Sequence, residues 1–282
     1  MTRRDLISRV PLILIARRIP AQVGGLFRNG YDTIVIQTTK TTGWHPSFSK
    51  VAGSQNFYWK FPDGTYASNS GNFTVTLPAG TKTILCQKQD GFRTMSFCTL
   101  TGQQMVGPLP NLSHCGAALL QISLNTNSFT GVIPAYYGTQ FTSLNRLDLG
   151  TNSLTGSIPT FAASAALLNL LLGGNSLSGT VPSFAGCTGL TGAVFTGNAG
   201  INDSAAGSWA TQKSLDTLSF NTCGLSSTAV NQVLADCVVS LGIGGRVICT
   251  LSLNGGTNAA PTGLGITNKG LLIAAGWSVP TN

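Results

Sequence analysis

The chain has 282 residues, of which 42% are hydrophobic and only 9% are charged, and it contains 35 glycines and no glutamate. This composition is typical of a β-rich, turn-rich protein and argues against long helices, because glutamate is among the residues that favour helix surfaces. The net charge of +8 includes +5 in the first thirty residues. The remaining +3 is spread over 252 residues, which argues against a basic nucleic-acid-binding face.

Residues 1–30 are predicted to form a basic arm. Its apolar run, Val10 to Ala16, contains Pro11 and is closed by Arg17. It is far shorter than the roughly 20 residues of a membrane span and lacks the cleavage site of a signal peptide. We expect the arm to dock into a partner protein and to become ordered on assembly. A terminus without a role and a twin-arginine export signal remain alternatives. The arm's arginines are Arg3, Arg4, Arg9, Arg17, Arg18 and Arg28.

Residues 31–94 contain short alternating apolar runs, which predict strands. Turn signals at Asp63-Gly64 and near Gly80 separate them. The order of strands around Trp59-x-Phe61-x-Asp63-Gly64 resembles PKD-like, immunoglobulin-type domains. The resemblance implies a small all-β sandwich, which would cover the open end of the repeat array that follows. The predicted strands are 33–37, 56–61, 72–77 and 81–86.

Residues 95–225 repeat one pattern about six times. The plainest copy is Leu119-x-x-Ile122-x-Leu124-x-x-Asn127-x-Phe129-x-Gly131-x-Ile133-Pro134, and further clear copies begin at Leu144 and Leu167. The asparagine slot recurs at 103, 127, 152, 175, 198 and 223, which is a spacing of 23 to 25 residues. Each Leu-x-x-Leu-x-Leu segment predicts a short strand that cannot bury its apolar side alone, so successive coils must stack. The pattern therefore predicts a solenoid.

The asparagine slot is predicted to hold the turn after each strand. An amide there can bond backbone groups of its own coil and of the neighbouring coil. The Gly-x-Ile-Pro half resembles the plant-type leucine-rich repeat. The resemblance implies a β-rich α/β solenoid and a binding role rather than an enzymatic reaction. The paired-cysteine caps of secreted plant-type repeat proteins are not evident. The structural slot residues are Asn127, Asn152, Asn175, Asn198 and Cys223.

Residues 226–282 are predicted to form a C-terminal cap. An apolar stripe predicts a helix from Ser226 to Gly242, followed by a strand at 247–253, a short helix at 269–275 and a last strand at 277–279. The ending around Asn254-Gly-Gly and Trp277 resembles a tail found in structural proteins of tailed bacteriophages and in prophage-encoded repeat proteins. That resemblance implies an origin in a phage particle.

The sequence shows no set of paired titratable residues of the kind that catalysis needs. It has two histidines and eight aspartates, and it lacks nucleotide-binding, zinc and calcium motifs. His45 and His114 are expected in loops, and a metal site at His114-Cys115 is the lesser alternative. The seven cysteines form no Cys-x-x-Cys pair, which favours small buried hydrophobes over a disulfide framework or a zinc site. We therefore expect no enzyme activity, no cofactor and no metal. A hydrolase of host glycans would need an acidic cluster that the sequence does not locate.

The remaining candidate for function is the surface of the predicted solenoid. In such a solenoid the variable strand positions project from the concave face, where Arg146 and Asp148 are either a solvated pair or part of a binding site. Tyr136, Tyr137 and Phe161, on the opposite side, are predicted apolar contacts for a protein. The variable positions on the predicted concave face are Gln121, Ser123, Arg146, Asp148, Asn169, Leu171, Val194, Thr217 and Ser219, and all of them except Leu171 and Val194 are predicted binding residues.

The sequence thus predicts a non-enzymatic virion structural protein of a tailed phage, such as a capsid decoration, fibre or attachment protein. Its partners would be other virion proteins through the arm, in a homo-oligomeric or repeated assembly, and a host surface receptor or glycan. The alternative is an exported binding module on a bacterial cell surface. The first hypothesis rests on the basic arm and the phage-like ending.

Overall fold

The computed structural model describes residues 33–50, 52, 57–69, 74–88, 91–161, 164–244 and 249–282. Within them the chain winds as a solenoid around one hydrophobic core, and its strands form two long sheets. The strands are β1 (Thr33–Thr38), β2 (Ser47–Lys50), β3 (Phe57–Lys60), β4 (Tyr66–Asn69), β5 (Lys82–Lys88), β6 (Met95–Thr99), β7 (Met105–Pro108), β8 (Gln121–Ser123), β9 (Ser128–Val132), β10 (Arg146–Asp148), β11 (Ser153–Gly156), β12 (Asn169–Leu171), β13 (Ser176–Val181), β14 (Gly192–Val194), β15 (Gly200–Ser204), β16 (Thr217–Ser219) and β17 (Thr250–Ser252). The helices are α1 (Tyr136–Thr139), α2 (Ser227–Gly242) and α3 (Leu264–Ala274), with a 3-10 turn at Phe92–Thr94.

The first sheet contains one strand from each coil. Its order is β17-β16-β14-β12-β10-β8-β6-β2, and all neighbours from β6 to β17 are parallel. The middle residue of each three-residue strand is buried, as in Ile122, Leu147 and Leu170, while its neighbours point outward. Side chains alternate along a strand, so the predicted leucines build the core and the variable positions line one open face.

The second sheet is built from the Asn-x-Phe-x-Gly half of the repeat. Strands β7, β9, β11, β13 and β15 run parallel. Phe129, Leu154 and Leu177 point from them into the core. The two sheets together account for the predicted solenoid of leucine-rich repeats.

The strands of the N-terminal region extend both sheets of the solenoid. Strand β1 pairs antiparallel with β7 and with β5, and β2 pairs antiparallel with β6. The predicted strands at 33–37, 56–61 and 81–86 correspond to β1, β3 and β5, whereas β2 and β4 were not predicted. The predicted strand at 72–77 is described only from residue 74, where Val75 forms a bridge with Trp44. The immunoglobulin-type sandwich stays a prediction.

Gln103 fastens this N-terminal region to the first coil. It occupies the first asparagine slot, and its Oε1 accepts hydrogen bonds from the backbone N–H of His45 (2.8 Å) and from Lys40 Nζ (3.3 Å). Thr38 Oγ1 donates to the Gln103 carbonyl at 2.6 Å. The longer side chain of glutamine thus reaches Lys40 and His45 in the N-terminal region, which gives a physical reason why glutamine replaces asparagine in this slot.

The asparagines form a ladder of hydrogen-bonded amides along the solenoid, of which Asn175 and Asn198 are buried. Asn152 Nδ2 donates to the carbonyls of Leu124 and Leu149, both at 3.0 Å, and its Oδ1 accepts from the Phe129 N–H at 3.0 Å. Asn127, Asn175 and Asn198 repeat the pattern. At the next slot the Cys223 thiol donates to the Phe195 carbonyl at 3.4 Å. Each rung therefore joins two successive coils.

The predicted C-terminal cap continues the solenoid. Helix α2 is capped by Ser226, whose side chain accepts from the Ala229 N–H, and it leads into β17, which adds to the first sheet. Helix α3 begins five residues earlier than the predicted start at 269. After it, Ser278 and Thr281 form parallel bridges to β17 and its extension.

Asn258 supplies a ladder rung that the sequence analysis missed. Its Nδ2 donates to the carbonyls of Phe220 (2.7 Å) and Leu253 (3.1 Å), and its Oδ1 accepts from the Leu225 N–H at 2.9 Å. These are the same three bonds that Asn152 makes. The residues after 225 therefore form further coils of the same array.

Two predicted surface contacts are wrong. Tyr137 and Phe161 are fully buried, and Tyr137 Oη donates to the Pro110 carbonyl at 3.1 Å. Phe161 stacks on Phe184 with ring centroids 5.8 Å apart. Both residues belong to the core, because the side of each coil opposite the first sheet must also pack against the interior without leaving voids. Tyr136 is only half-buried.

All seven cysteines are buried and carry free thiols. Burial raises the pKa of Cys187 and of Cys223 to about 11 and that of Cys249 to about 12. A thiol with so high a pKa is a poor nucleophile at neutral pH. The seven cysteines therefore serve the core, in agreement with their prediction as buried hydrophobes.

A binding surface on the repeat strands

The outward side of the first sheet is called the repeat-strand face, and it corresponds to the predicted concave face. In its first row Gln121, Arg146 and Asn169 lie side by side on β8, β10 and β12. The second row runs parallel to the first, two residues further along each strand. The predicted residues that the structure brings together on this face are Gln121, Ser123, Arg146, Asp148, Asn169, Thr217 and Ser219.

Arg146 and Asp148 form an ion pair on β10. Arg146 Nη2 lies 2.9 Å from Asp148 Oδ2, and the Gly150 N–H donates to Asp148 Oδ1 at 3.2 Å. The Asp148 carboxylate is nearly buried, whereas 38% of the Arg146 side chain is exposed. The carboxylate thus holds the guanidinium in place and leaves most of its donors free to meet a ligand.

An apolar floor lies beside this pair. Leu171 and Val194 are paired neighbours in the second row, and both are partly exposed. Gly192 lies two residues before Val194, in the first row. Gly173 lies two residues after Leu171, on the opposite side of the floor. A Cβ at Gly192 would lie 3.0 Å from Asn169 Oδ1, and one at Gly173 would lie 3.1 Å from the Thr196 carbonyl. Gly192 is buried against the Asn169 side chain, whereas Gly173 is partly exposed, so a ligand can reach the floor from the Gly173 side.

Hydroxyl groups border the floor beside Val194, where Thr196 Oγ1 and Ser219 Oγ lie 2.7 Å apart. Further along the face, Thr101 Oγ1 donates to Asn125 Oδ1 at 2.6 Å. Thr250 and Ser252 on β17 continue the two rows. The sequence analysis missed this continuation and the glycines, although alternation along each strand would have identified the glycine positions.

Side chains that could bind a metal ion are scattered over the described residues. No cluster of three or more His, Cys, Asp or Glu side chains is arranged for a metal ion in the part of the chain that the structure describes. His45 and His114 are exposed, whereas Cys115 beside His114 is buried, so this pair does not share a surface. Within the described ranges, no helix has both the length and the hydropathy that a membrane span requires.

The predicted docking arm lies outside the described residues. Its arginines, at positions 3 to 28, precede the first described residue, Thr33. Lys82, near the start of the described region, is buried and donates from Nζ to the carbonyls of Thr39 (3.1 Å) and Lys40 (3.0 Å). This lysine therefore stabilises the N-terminal strands and offers no charge to a ligand.

The fold and its ladder define a leucine-rich-repeat solenoid. The chain matches no protein-family model and no curated protein sequence. Among solved structures it is similar to PEPR1-AtPEP1, with 27% identity over 58% of this chain and 22% of that chain and a TM-score of 0.47. The BIR2 ectodomain from Arabidopsis thaliana shows 28% identity over 40% of this chain and 58% of that chain, with a TM-score of 0.34.

An internalin (inlF) from Listeria monocytogenes shows 15% identity over 66% of this chain and 54% of that chain, with a TM-score of 0.39. The chain therefore spans less than two thirds of the length of each of these three proteins.

Proposed function

We propose that this solenoid is a non-enzymatic binding module whose repeat-strand face holds a segment of a partner protein. The observation that carries the proposal is the partly exposed Leu171–Val194 floor, which has a positioned guanidinium, Arg146, on one flank. A partly exposed aliphatic pair beside an oriented arginine suits recognition, because the apolar contact gives affinity and the charge selects orientation.

The ligand class follows from the chemistry of the face. The floor fits one aliphatic or aromatic side chain, and the flanking amides of Gln121 and Asn169 suit the backbone of an extended segment. The described face carries few charges, so affinity would depend little on ionic strength. A glycan would instead be held through hydroxyl contacts at the Thr and Ser positions and would need the floor less.

The test begins with a photo-crosslinking residue at Val194 and a matched one at Val132, which is 60% exposed on the second sheet. Each protein is irradiated with purified phage particles and with bacterial envelope fractions. A protein crosslinked from Val194 and not from Val132 is then purified. Its dissociation constant is measured for the unmodified chain, Leu171→Asp, Arg146→Ala and Val132→Asp.

The expected result is a loss of affinity of about 30-fold for Leu171→Asp, equivalent to about 2 kcal/mol, a smaller loss for Arg146→Ala and none for Val132→Asp. Equal affinities for all four proteins would overturn the proposal. A ligand identified as a glycan, with binding unchanged in Leu171→Asp, would overturn the protein-segment assignment.

We further propose a phage particle as the setting, with the arm as its anchor and with a host receptor as a candidate ligand of the face. The support is the concentration of arginines in the first thirty residues and the phage-like ending. The alternative setting is a bacterial cell surface. Mass spectrometry of purified particles and of envelope fractions separates the two, because the protein would be enriched in only one of them. Full incorporation into particles after deletion of residues 1–30 would contradict the anchoring role.

A further inference from the structure

The loop between β17 and the Asn258 rung contains the dipeptide Asn254-Gly255. In such a dipeptide the backbone nitrogen of the glycine can attack the side-chain amide of the asparagine, because glycine has no side chain that hinders the approach. Asn254 is only half-buried, so water can reach it. The loop therefore contains a group that can be modified without an enzyme.

The modification is a deamidation that takes place in two steps. In the first step the Gly255 nitrogen forms a bond to Cγ of Asn254 while the bond from Cγ to Nδ2 breaks, and the leaving amine takes the Gly255 proton and departs as ammonia. In the second step water opens the resulting succinimide ring at either of its carbonyls. The product is aspartate or isoaspartate, and isoaspartate lengthens the backbone by a methylene group. Water is the only co-reactant.

The fold requires glycine at position 255. Its φ is 76°, in the left-handed region that favours glycine, and a Cβ there would lie 2.5 Å from Asn221 Oδ1. Gly255 therefore cannot be exchanged for a bulkier residue that would slow the attack on Asn254. The loop keeps its geometry only together with the reactive dipeptide.

Both ends of the peptide unit between Asn254 and Gly255 are hydrogen-bonded. The Gly255 N–H donates to Asn282 Oδ1 at 2.7 Å. The Asn254 carbonyl accepts from the Thr222 N–H at 3.0 Å. For the attack, the Gly255 nitrogen must lose its proton and the peptide plane must turn towards the Asn254 side chain. Both hydrogen bonds therefore oppose the reaction.

Further contacts hold Asn282 where it accepts this proton. Its Nδ2 donates to the Asn258 carbonyl at 2.6 Å and to the Gly255 carbonyl at 3.4 Å. The preceding residue is also fastened, because Lys269 Nζ of α3 donates to Thr281 Oγ1 at 2.6 Å. The acceptor of the Gly255 N–H is therefore positioned by bonds that do not involve that N–H.

We infer that Asn254 is a site of spontaneous deamidation and that Asn282 sets its rate by holding the Gly255 N–H. Isoaspartate at position 254 lengthens the path from Leu253 to Asn258. The Asn258 amide donates to the Leu253 carbonyl at 3.1 Å, and a longer path between the two residues shifts them apart. The modification thus weakens the Asn258 rung and limits the lifetime of the C-terminal coil.

The test follows deamidation at Asn254 by peptide mass spectrometry of the full 282-residue chain during long incubation at mildly alkaline pH. The same chain unfolded in urea gives the rate without the two hydrogen bonds. Asn282→Ala removes the acceptor of the Gly255 N–H. Thr281→Val is the matched control, because it releases the neighbouring residue from Lys269 and keeps the Asn282 side chain. Circular dichroism confirms that each variant is folded.

Deamidation at Asn254 is expected to be about 100-fold slower in the folded chain than in urea, because the reaction must wait for local opening. Asn282→Ala should raise the rate in the folded chain about 10-fold, the effect of one hydrogen bond, while the Leu225 N–H stays protected from exchange. Thr281→Val should leave the rate unchanged. Equal rates in the folded and unfolded chains, an unchanged rate in Asn282→Ala, an equal increase in both variants, or an increase accompanied by rapid exchange at Leu225 would each overturn the inference.

Discussion

The central coils and the C-terminal coils are held by the same hydrogen bonds but are encoded differently. In the central coils Asn127, Asn152 and Asn175 recur after 25 and 23 residues, each three positions after a buried leucine. In the C-terminal coils the slots at Cys223 and Asn258 are 35 positions apart, and Asn258 follows Leu253 by five positions. Yet Asn258 makes the same three bonds as Asn152.

Two features lengthen the C-terminal coil without changing its ladder. Helix α2, with 16 residues, replaces the short connections of the central coils, where α1 has four residues. Gly255 and Gly256, both in the left-handed region with φ of 76° and 59°, form a loop before the slot. The comparison shows that the constant element of this solenoid is a slot side chain that hydrogen-bonds two coils, not a fixed spacing.

Alkaline pH is expected to have the largest effect, because buried thiols occur in the N-terminal region, the central coils and the C-terminal coils alike. Burial raises the pKa of Cys223 to about 11 and of Cys249 to about 12, and it raises the pKa of Cys237 well above its usual value. Because the folded pKa exceeds the unfolded value near 9, these thiols favour the folded state fully below pH 9. That advantage is lost as the pH rises from 9 towards 12.

The free energy of unfolding, measured with urea at pH 8 and pH 10, should therefore fall by several kcal/mol. In Cys223→Ala and in Cys249→Ala the fall should be smaller by about 1.4 kcal/mol. Cys187→Ala in the central coils should reduce the fall by a similar amount, because burial also raises the pKa of Cys187 to about 11. A constant free energy up to pH 11 would contradict the burial of these thiols.

Asn258→Leu tests the equivalence of the two regions directly. The substitution leaves the Leu225 N–H and the carbonyls of Phe220 and Leu253 without their amide partner, so the free energy of unfolding should fall by about 3 to 5 kcal/mol. Asn152→Leu in the central coils should cost a similar amount. Urea denaturation compares the two variants, and a loss below about 1 kcal/mol at 258 alone would show that the C-terminal coil is held differently.

Asp236→Ala tests how α2 is attached. The buried carboxylate accepts hydrogen bonds from the N–H groups of Gly207 (3.1 Å) and Trp209 (3.2 Å) and from Gln232 Nε2 (2.7 Å). Its loss should lower the free energy of unfolding by about 2 to 4 kcal/mol, and Asp236→Asn, which keeps one acceptor, by less. Thermal and urea unfolding report both values, and equal stabilities for the two variants would rule out this role of the carboxylate.

The smallest effect is expected at the residue before the slot. Thr151 has φ of 54°, a region that disfavours β-branched residues, whereas Gly174 and Gly197 occupy the same position in the next coils. Thr151→Asn should raise the free energy of unfolding by about 0.5 to 1 kcal/mol, because asparagine tolerates this conformation. Gly174→Thr should lower it. Opposite signs in the urea measurements would show that the turn is not strained.

The sequence predicted the parts of the fold that repeat with a constant period. Leu119 to Pro182 defined the strands, the slot and the outward positions such as Gln121 and Asn169, because alternation and spacing are local properties of the chain. Asn258 was missed because α2 and the Gly255-Gly256 loop break the period. Tyr137 and Phe161 were placed on the surface because the pattern does not show how far a connection folds back over the core.

The candidate site was predicted in part. The row of Gln121, Arg146 and Asn169 followed from strand alternation, but the ion-pair geometry of Arg146 and the open flank at Gly173 depend on packing between coils. The extent of α3 was also predicted only in part, because the helix begins at Leu264 rather than at residue 269. The repeat spacing does not indicate that the coils continue to α3, so its aliphatic residues were predicted to form a short helix of the cap.

Amide hydrogen exchange at Leu225 tests most directly whether one ladder runs through both regions. Its N–H is held by Asn258 Oδ1 at 2.9 Å, as the Leu177 N–H is held by Asn198 Oδ1 at 2.9 Å. The predicted result is protection of Leu225 within about tenfold of that of Leu177, with selective loss of the Leu225 protection in Asn258→Ala. Exchange of Leu225 at the rate of an unfolded chain in the unmodified protein would contradict the continuous ladder.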